Sequence, residues 1–378
     1  MKVIVAPDSF KGSISSKDLC SAIALGIKNV FPDANVLEIP MADGGEGTME
    51  NLVYATDGKV HSIKANDPLG REIEASYGVL GDGQTAIIEM AQASGLPSLT
   101  EAERNPLITS SFGTGQLILD ALDKGYRSFI IGLGGSATND GGTGMLKALG
   151  VKFLNNKNEE LEDNVASLKE LSYIDLANID DRIKASKFIV ASDVSNPLCG
   201  KNGASHIFGP QKGATPEMVQ LLDSSLNKYG EIIHQQLGIN VLEIPGAGAA
   251  GGMGAALIAF FNAEVNSGID ITVNVTQLQE LIKAADIVIT GEGKFDSQTL
   301  SGKVIAGVSK VANREKVPVI VLCGTNELKS YEMDELGVVS AFSLVPGPCT
   351  LNDSVRNAHQ WVIDRTEQIM RMYKLINS

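Results

Sequence analysis

The chain has 378 residues, 43% of them hydrophobic and 20% charged, and carries a formal net charge of −14. The length is too great for one ordinary core and the mix is that of a folded globular protein, so two domains are expected. An acidic surface repels nucleic acid and anionic lipid, which excludes both as expected partners.

In chain order, Val3–Ala6 reads as a short buried strand. It is followed by a helix opened by Ser15 with Asp18 three residues on, a capping-box variant, and Leu19, Ala22, Ile23, Ile27 and Val30 form its apolar stripe. Val36–Ile39 is a second strand, followed by MADGGEGT and a helix over Met49–Ala55. Much later the same alternation returns. Thr276–Ala285 reads as a helix with Thr276 and Gln279 as a capping box, and Asp286–Thr290 as a strand. A helix within Val304–Arg314, strands at Val317–Cys323 and Val338–Leu344, and a long helix over Ser354–Tyr373 complete the chain.

Apolar strands alternating with amphipathic helices imply a parallel sheet covered on both faces. Neither terminal group is large enough alone. The fold class expected is therefore α/β: a flavodoxin-like, doubly wound, discontinuous domain, 1–62 plus 270–378, with a second mixed α/β domain, 63–269, inserted. The insert holds shorter alternating segments, REIEASYGVL and TAIIEMA, then strand–glycine–helix units.

Only the short run Val3–Ala6 precedes Pro7, unlike a signal peptide. The longest stretch free of strongly polar residues, Gly246–Phe261, is shorter than the roughly 20 residues of a spanning helix. A cytoplasmic protein is expected. Cys20, Cys199, Cys323 and Cys349 form no CxxC and read as reduced, mostly buried thiols. With four scattered histidines, no zinc site is expected.

Ligands of an open parallel sheet sit at the carboxyl ends of its strands, near the switch in strand order. The loops at that rim are polar or glycine-rich: PDSFKG with Asp8, Ser9 and Lys11; MADGGEGT with Asp43 and Glu46; GEGKFDSQT with Glu292, Lys294, Asp296 and Gln298; and GTNE. The insert adds IVASDVSNPLCG with Asp193 and Asn196, FGPQKG with Gln211 and Lys212, and PGAGAAGGMG. Each also has a plain structural reading, as a turn, a helix cap or a solvated lysine. Recurrence at the same position of successive strands favours a site.

The stretch IGLGGSATNDGGTGM holds six glycines in fifteen residues. It reads either as a run of tight turns or as a backbone N–H cradle for phosphate. PGAGAAGG fits GxGxxG after a candidate strand, VLEIP, but Pro245 intervenes and no suitable acid follows, which counts against a dinucleotide site. No Gly-Lys pair has glycine five positions before its glycine, so a Walker loop is absent. Glycine loops, lysines and surplus acids without a histidine cluster suit phosphoryl transfer, which needs phosphate donors, a carboxylate-held Mg²⁺ and a carboxylate for the attacking hydroxyl.

The segments VAPDSFKGSIS, MADGGEGT, GLGGSATNDGGTGM, SDVSNPLCG, FGPQKGA, PGAGAAGGMG and TGEGKFDSQTLSGK resemble the bacterial glycerate kinase family. The resemblance runs over essentially the full length. It implies ATP-dependent phosphorylation of D-glycerate, to 2-phosphoglycerate in most relatives, with 3-phosphoglycerate as the other product.

On chemistry, a cleft between the two domains is expected. In it Gly134, Gly135, Ser136, Thr138 and Asn139, with Lys212, meet the ATP phosphates, and Asp8, Ser9 and Lys11 meet glycerate. Lys11, Asp193 and Asp296 are the catalytic candidates, the last two as base and Mg²⁺ ligand in either order, with Asp43 and Glu46 as further metal candidates. The rival readings are a GHMP-type kinase, whose fold lacks the N-terminal parallel βαβα unit, and a non-catalytic sensor of glycerate or nucleotide. Homo-oligomerisation is left open.

Overall fold

The structure is a computed structural model that describes residues 1–301 and 303–376. Gly302 of the last quoted motif, and Asn377 and Ser378 of the expected terminal domain, lie outside the described residues. The strands are β1 (Lys2–Val5), β2 (Asn35–Glu38), β3 (Lys59–Asn66), β4 (Glu72–Val79), β5 (Thr85–Glu89), β6 (Ser128–Gly132), β7 (Lys152–Leu154), β8 (Tyr173–Asp175), β9 (Lys187–Ala191), β10 (Glu264–Asn266), β11 (Ile287–Phe295), β12 (Val319–Asn326) and β13 (Val338–Ser343). They divide between two compact units, one made of Met1–Asp43, Glu50–Asp57 and Ile269–Ser378, the other of Gly44–Met49 and Gly58–Gly268.

The first unit is built on one five-stranded sheet in the order β13-β12-β11-β1-β2, with every pairing parallel. Counted along this unit alone, that is the flavodoxin order, with the reversal between β1 and β11. Side chains alternate across it. Val3, Val5, Ile287, Ile289 and Leu322 join Leu19, Ile23, Ile27, Val362 and Met370 in one buried layer. Ile4, Val288, Val319 and Val321 join Leu278, Val304, Val308 and Ala312 in the other. Two covered faces explain why these strands read as continuous apolar runs.

The helix Ser16–Val30 begins as the sequence implies: the Ser15 hydroxyl accepts from the Asp18 N–H and donates to its carboxylate at 2.7 Å. It packs along the last helix, Leu351–Ile376. Gly26 is the point of closest approach. A Cβ there would sit 2.7 Å from both the Ile363 carbonyl oxygen and the Thr366 Cβ.

Two expectations for the first unit are corrected. Thr276 caps nothing: its hydroxyl donates back to the Thr272 carbonyl at 2.7 Å, Gln277 turns left-handed with φ 52°, and the helix that follows is only Leu278–Ile282. Secondly, β11 continues through Gly291, Glu292 and Lys294 to Phe295 because β12 extends beside it, pairing Lys294 with Thr325. Most of the expected GEGKFDSQT loop is therefore strand.

The second unit has a six-stranded mixed sheet in the order β10-β9-β6-β5-β4-β3, and a two-stranded β7-β8 hairpin. β5, β6, β9 and β10 run parallel, while β3, β4 and β5 pair antiparallel. An expected boundary at residue 62 falls inside β3, whose pairing with β4 starts at Lys59. VLEIP is a turn, not a strand. The Phe129 and Phe188 rings stack 4.7 Å apart on adjacent strands. All four cysteines are free.

Gly26→Leu would force the two long helices of the first unit apart. Overpacking of this kind costs about 1–3 kcal/mol, and urea unfolding should show a loss in that range. A variant as stable as the parent would mean that this helix contact yields freely.

Candidate active site

In the first unit the sheet hydrogen bonds continue past the ends of its strands. The Asp8 N–H donates to the Gly291 carbonyl at 2.8 Å, and the Met41 N–H to the Pro7 carbonyl at 3.0 Å. The Thr290 hydroxyl ties to the Ala6 carbonyl at 2.7 Å. These rungs fix three carboxylates at one rim: Asp8 after β1, Asp43 after β2 and Glu292 within β11. Phe10 and Ile14 close a tight turn that carries Lys11 at its tip, 3.9 Å from Asp43.

These residues line a cavity of about 410 Å³. Asp8, Ser9, Lys11, Asp43, Glu292, Lys294 and Lys303 supply its polar side. Leu344, Leu351, Val355, Ala358 and Trp361 supply an apolar wall, from the end of β13 and the last helix. Asp8 is 8% exposed. Burial first, then the neighbouring Asp43 carboxylate, push its carboxyl up to about 7, against the Ser9 N–H and Lys11, which pull it down. Burial likewise raises Glu292, which accepts from the Thr299 hydroxyl. A carboxyl titrating near neutrality in a cavity can take a proton from a hydroxyl and release it again.

Asp296 is differently placed. Its carboxylate is held below the ordinary range by Lys294, 3.1 Å away, and then by the Gln298 N–H. Lys294 also reaches Glu327 at 3.0 Å. Asp296 anchors the lysine and is not among the residues of the cavity wall.

The glycine-rich stretch lies in the second unit, between β6 and the helix Thr143–Ala148. Its later half is held from within. The buried Asp140 carboxylate accepts from the Ser111 N–H and hydroxyl at 2.8 and 2.7 Å, and from the N–H groups of Gly142 and Gly144 at 3.0 and 3.2 Å. Two of the bare amides thus serve an internal acid. Gly141 and Gly142 adopt φ of 66° and 76°. PGAGAAGG packs against the same loop: a Cβ on Gly251 would lie 2.1 Å from the Thr138 carbonyl oxygen.

The leading half differs. Gly135 is exposed and Gly134 half-buried. Behind them Ser136, Thr138 and Asn139 are buried, and among the described residues Thr138 Oγ1 and Asn139 Oδ1 find no hydrogen-bond partner. Lys212 is 1% exposed, not a solvated lysine. Its ammonium donates to Ser136 Oγ at 2.8 Å and to the Thr138 carbonyl at 2.7 Å. Burial pulls it down to about 7, with Asp140 opposing. Asp193 is exposed beyond β9 and accepts from the Gly268 N–H at 3.2 Å. Glu46 is exposed in the second unit, whereas Asp43 belongs to the first.

The structure thus gathers Asp8, Ser9, Lys11 and Asp43 in one cavity, and Ser136, Thr138 and Lys212 in one buried cluster. Sequence reasoning gave no role to Glu292, although it lies in the quoted GEGK, and none to Lys303 or Trp361. A sequence signal existed for Glu292, at a strand end, and for Lys303, which closes the quoted TGEGKFDSQTLSGK. Trp361 reaches the cavity through tertiary packing.

A family model described as the glycerate kinase family matches residues 3–374. A glycerate kinase of Halalkalibacterium halodurans is 46% identical over 376 residues, covering 100% of this chain and 98% of that protein. A glycerate 2-kinase of Escherichia coli is 47% identical, covering 95% and 94%. The crystal structure of a Salmonella typhimurium LT2 protein described as glycerate kinase 2 superposes with a TM-score of 0.91 at 44% identity, covering 100% of this chain and 99% of that one.

Lys212 makes a pH dependence legible. Its ammonium titrates near 7 when folded against an ordinary value of 10.5, so between these values the unfolded chain binds more protons and stability rises with pH. The contribution is complete above 10.5 and is lost as pH falls toward 7. Lys212→Met removes it. Parent stability should gain on that variant from pH 7 to 9, at up to about 1.4 kcal/mol per pH unit, in chemical unfolding followed across pH. A constant difference would overturn the burial of a titrating amine.

Proposed function

The chain belongs to the glycerate kinase family, and from that premise we propose that it transfers the γ-phosphoryl group of ATP to D-glycerate, forming 2-phosphoglycerate. The observation that carries the reading is the meeting of Asp8, Lys11, Asp43, Glu292, Lys294 and Lys303 in one cavity at the carboxyl edge of a doubly wound sheet. Acids beside lysines, where ligands of this fold bind, are what a transfer of charged phosphoryl to a hydroxyl requires.

In this reading Asp8 accepts the proton of the attacking glycerate hydroxyl, and the Ser9 N–H, 2.7 Å from its carboxylate, orients it. Lys11 neutralises the glycerate carboxylate or the transferred phosphoryl group. Lys294, steadied by Asp296 and Glu327, and Lys303 add positive charge, and Asp296 acts through Lys294. In the second unit, the Gly134–Asn139 segment is the part of the glycine loop proposed to touch phosphate, since the amides of Gly142 and Gly144 are taken by Asp140. Asp193 stays a carboxylate candidate there.

Phosphoryl transfer from ATP calls for Mg²⁺, and the donors suit a hard cation. Asp43 and Glu292 offer oxygen only, and Glu292 is destabilised by burial and by nearby acids. Among the described residues no group of three or more His, Cys, Asp or Glu is placed to hold a metal alone. That agrees with a cation that keeps water and phosphate oxygens as ligands. Asp43 and Glu292 would hold it; when bound it would screen the phosphate charge. Among the described residues no helix is long and apolar enough to cross a membrane.

A coupled ADP-release assay with D-glycerate, followed by phosphorus NMR of the product, tests activity and regiochemistry together. Asp8→Asn should lower kcat by at least about 100-fold. Lys11→Ala should raise KM for glycerate, and Asp296→Asn should fall between parent and Asp8→Asn. A folded Asp8→Asn enzyme with near-normal turnover would falsify its role as base.

A further inference from the structure

Glycerate is a three-carbon polar acid and has no apolar surface to give to half of the cavity described above. We propose that the wall made by Leu344, Leu351, Val355, Ala358 and Trp361 is the subsite for the adenine base of ATP, with Trp361 as its aromatic platform. The inference rests on the kinase reading and deepens it by assigning the nucleoside to the first unit.

Three observations carry it. The cavity is amphipathic in the same sense as a nucleotide: an apolar wall on one side, and Lys11, Lys294 and Lys303 on the other. Its volume, about 410 Å³, lies within the roughly 300–1,000 Å³ of pockets that take whole cofactors. Finally, apolar side chains stand in water there. Leu351 is 79% exposed and Val355 38%, on successive turns of the helix that also carries Trp361. A planar heteroaromatic ring would cover them, and bases stack readily on aromatic side chains.

Trp361 is the only tryptophan of the chain, so its emission reports on this wall alone and without turnover. Titration of the whole protein with ATP and with adenosine should change that emission saturably, while glycerate and ribose 5-phosphate should leave it unchanged. Val355→Glu places a charge on the exposed side of the wall without removing a packed ring. It should raise KM for ATP by about tenfold or more and leave KM for glycerate within about twofold.

Emission that answers glycerate but not adenosine, or a Val355→Glu enzyme whose loss falls on KM for glycerate, would overturn the assignment. The two layers separate cleanly. A chain that phosphorylates no glycerate while Trp361 answers adenosine loses the activity and keeps the subsite. A chain that phosphorylates glycerate with Trp361 silent to both adenosine and ATP loses the subsite alone.

Discussion

The pairing of Val3–Val5 with Ile287–Ile289 is the contact on which the first unit depends. It joins residues 284 apart in sequence and puts β1 inside a sheet whose other three strands beyond β2 arrive last. Without it β1–β2 and β11–β12–β13 are separate ribbons, the two buried layers lose their shared partition, and Asp8 has no Gly291 carbonyl to sit against. The carboxylates of the rim are near one another because β1, β2 and β11 pair side by side and bring Asp8, Asp43 and Glu292 to one level, not because the sequence clusters them. Burying these acids, and secondarily setting them beside one another, costs free energy, visible in the rise of Asp8 and Glu292. The packing of the sheet offsets that cost.

Much of this was legible in the sequence. The Ser15 cap, the stripe from Leu19 to Val30 and the apolar runs of β1, β11 and β12 are local signals of secondary structure. Their alternation implied a parallel sheet, and the shortness of each terminal group implied a discontinuous domain. What failed was decided by neighbours. β11 runs five residues beyond its apolar core, from Gly291 to Phe295, because β12 is there to pair with it. Thr276 spends its hydroxyl on the preceding turn, where a capping pattern cannot be told from a back-bond. At the site, Asp8, Ser9, Lys11 and Asp43 could be named from their loops. GEGKFD holds both Glu292 and Asp296, and nothing in it says which acid faces the cavity and which is tied to Lys294.

The glycine-rich stretch shows how one composition serves two ends. Gly141, Gly142 and Gly144 are small because Tyr229, Met253, Ala256 and Ser110 leave no room for a Cβ. Asp140 gathers the donors freed by that tight course, and one buried carboxylate accepting several N–H groups is a strong anchor. Lys212 braces the other side through Ser136 and the Thr138 carbonyl. The result is a braced support behind the half-buried Gly134 and the exposed Gly135. Tight turns account for the later part of the loop, and the anion cradle we propose falls to its leading part.

The split first unit also has a consequence for biosynthesis. A ribosome adds about 5–20 residues per second, so Ile287 emerges roughly 15–60 s after Val3. Throughout that wait the nascent Val3–Val5 ribbon has Asn35–Glu38 on one flank and nothing on the other, a sticky edge on an unfinished chain. The intervening 58–268 segment carries its own sheet and can collapse meanwhile. The first unit cannot close its sheet until Ile287–Ile289 has been made, so during synthesis the β1 edge is where aggregation competes with folding.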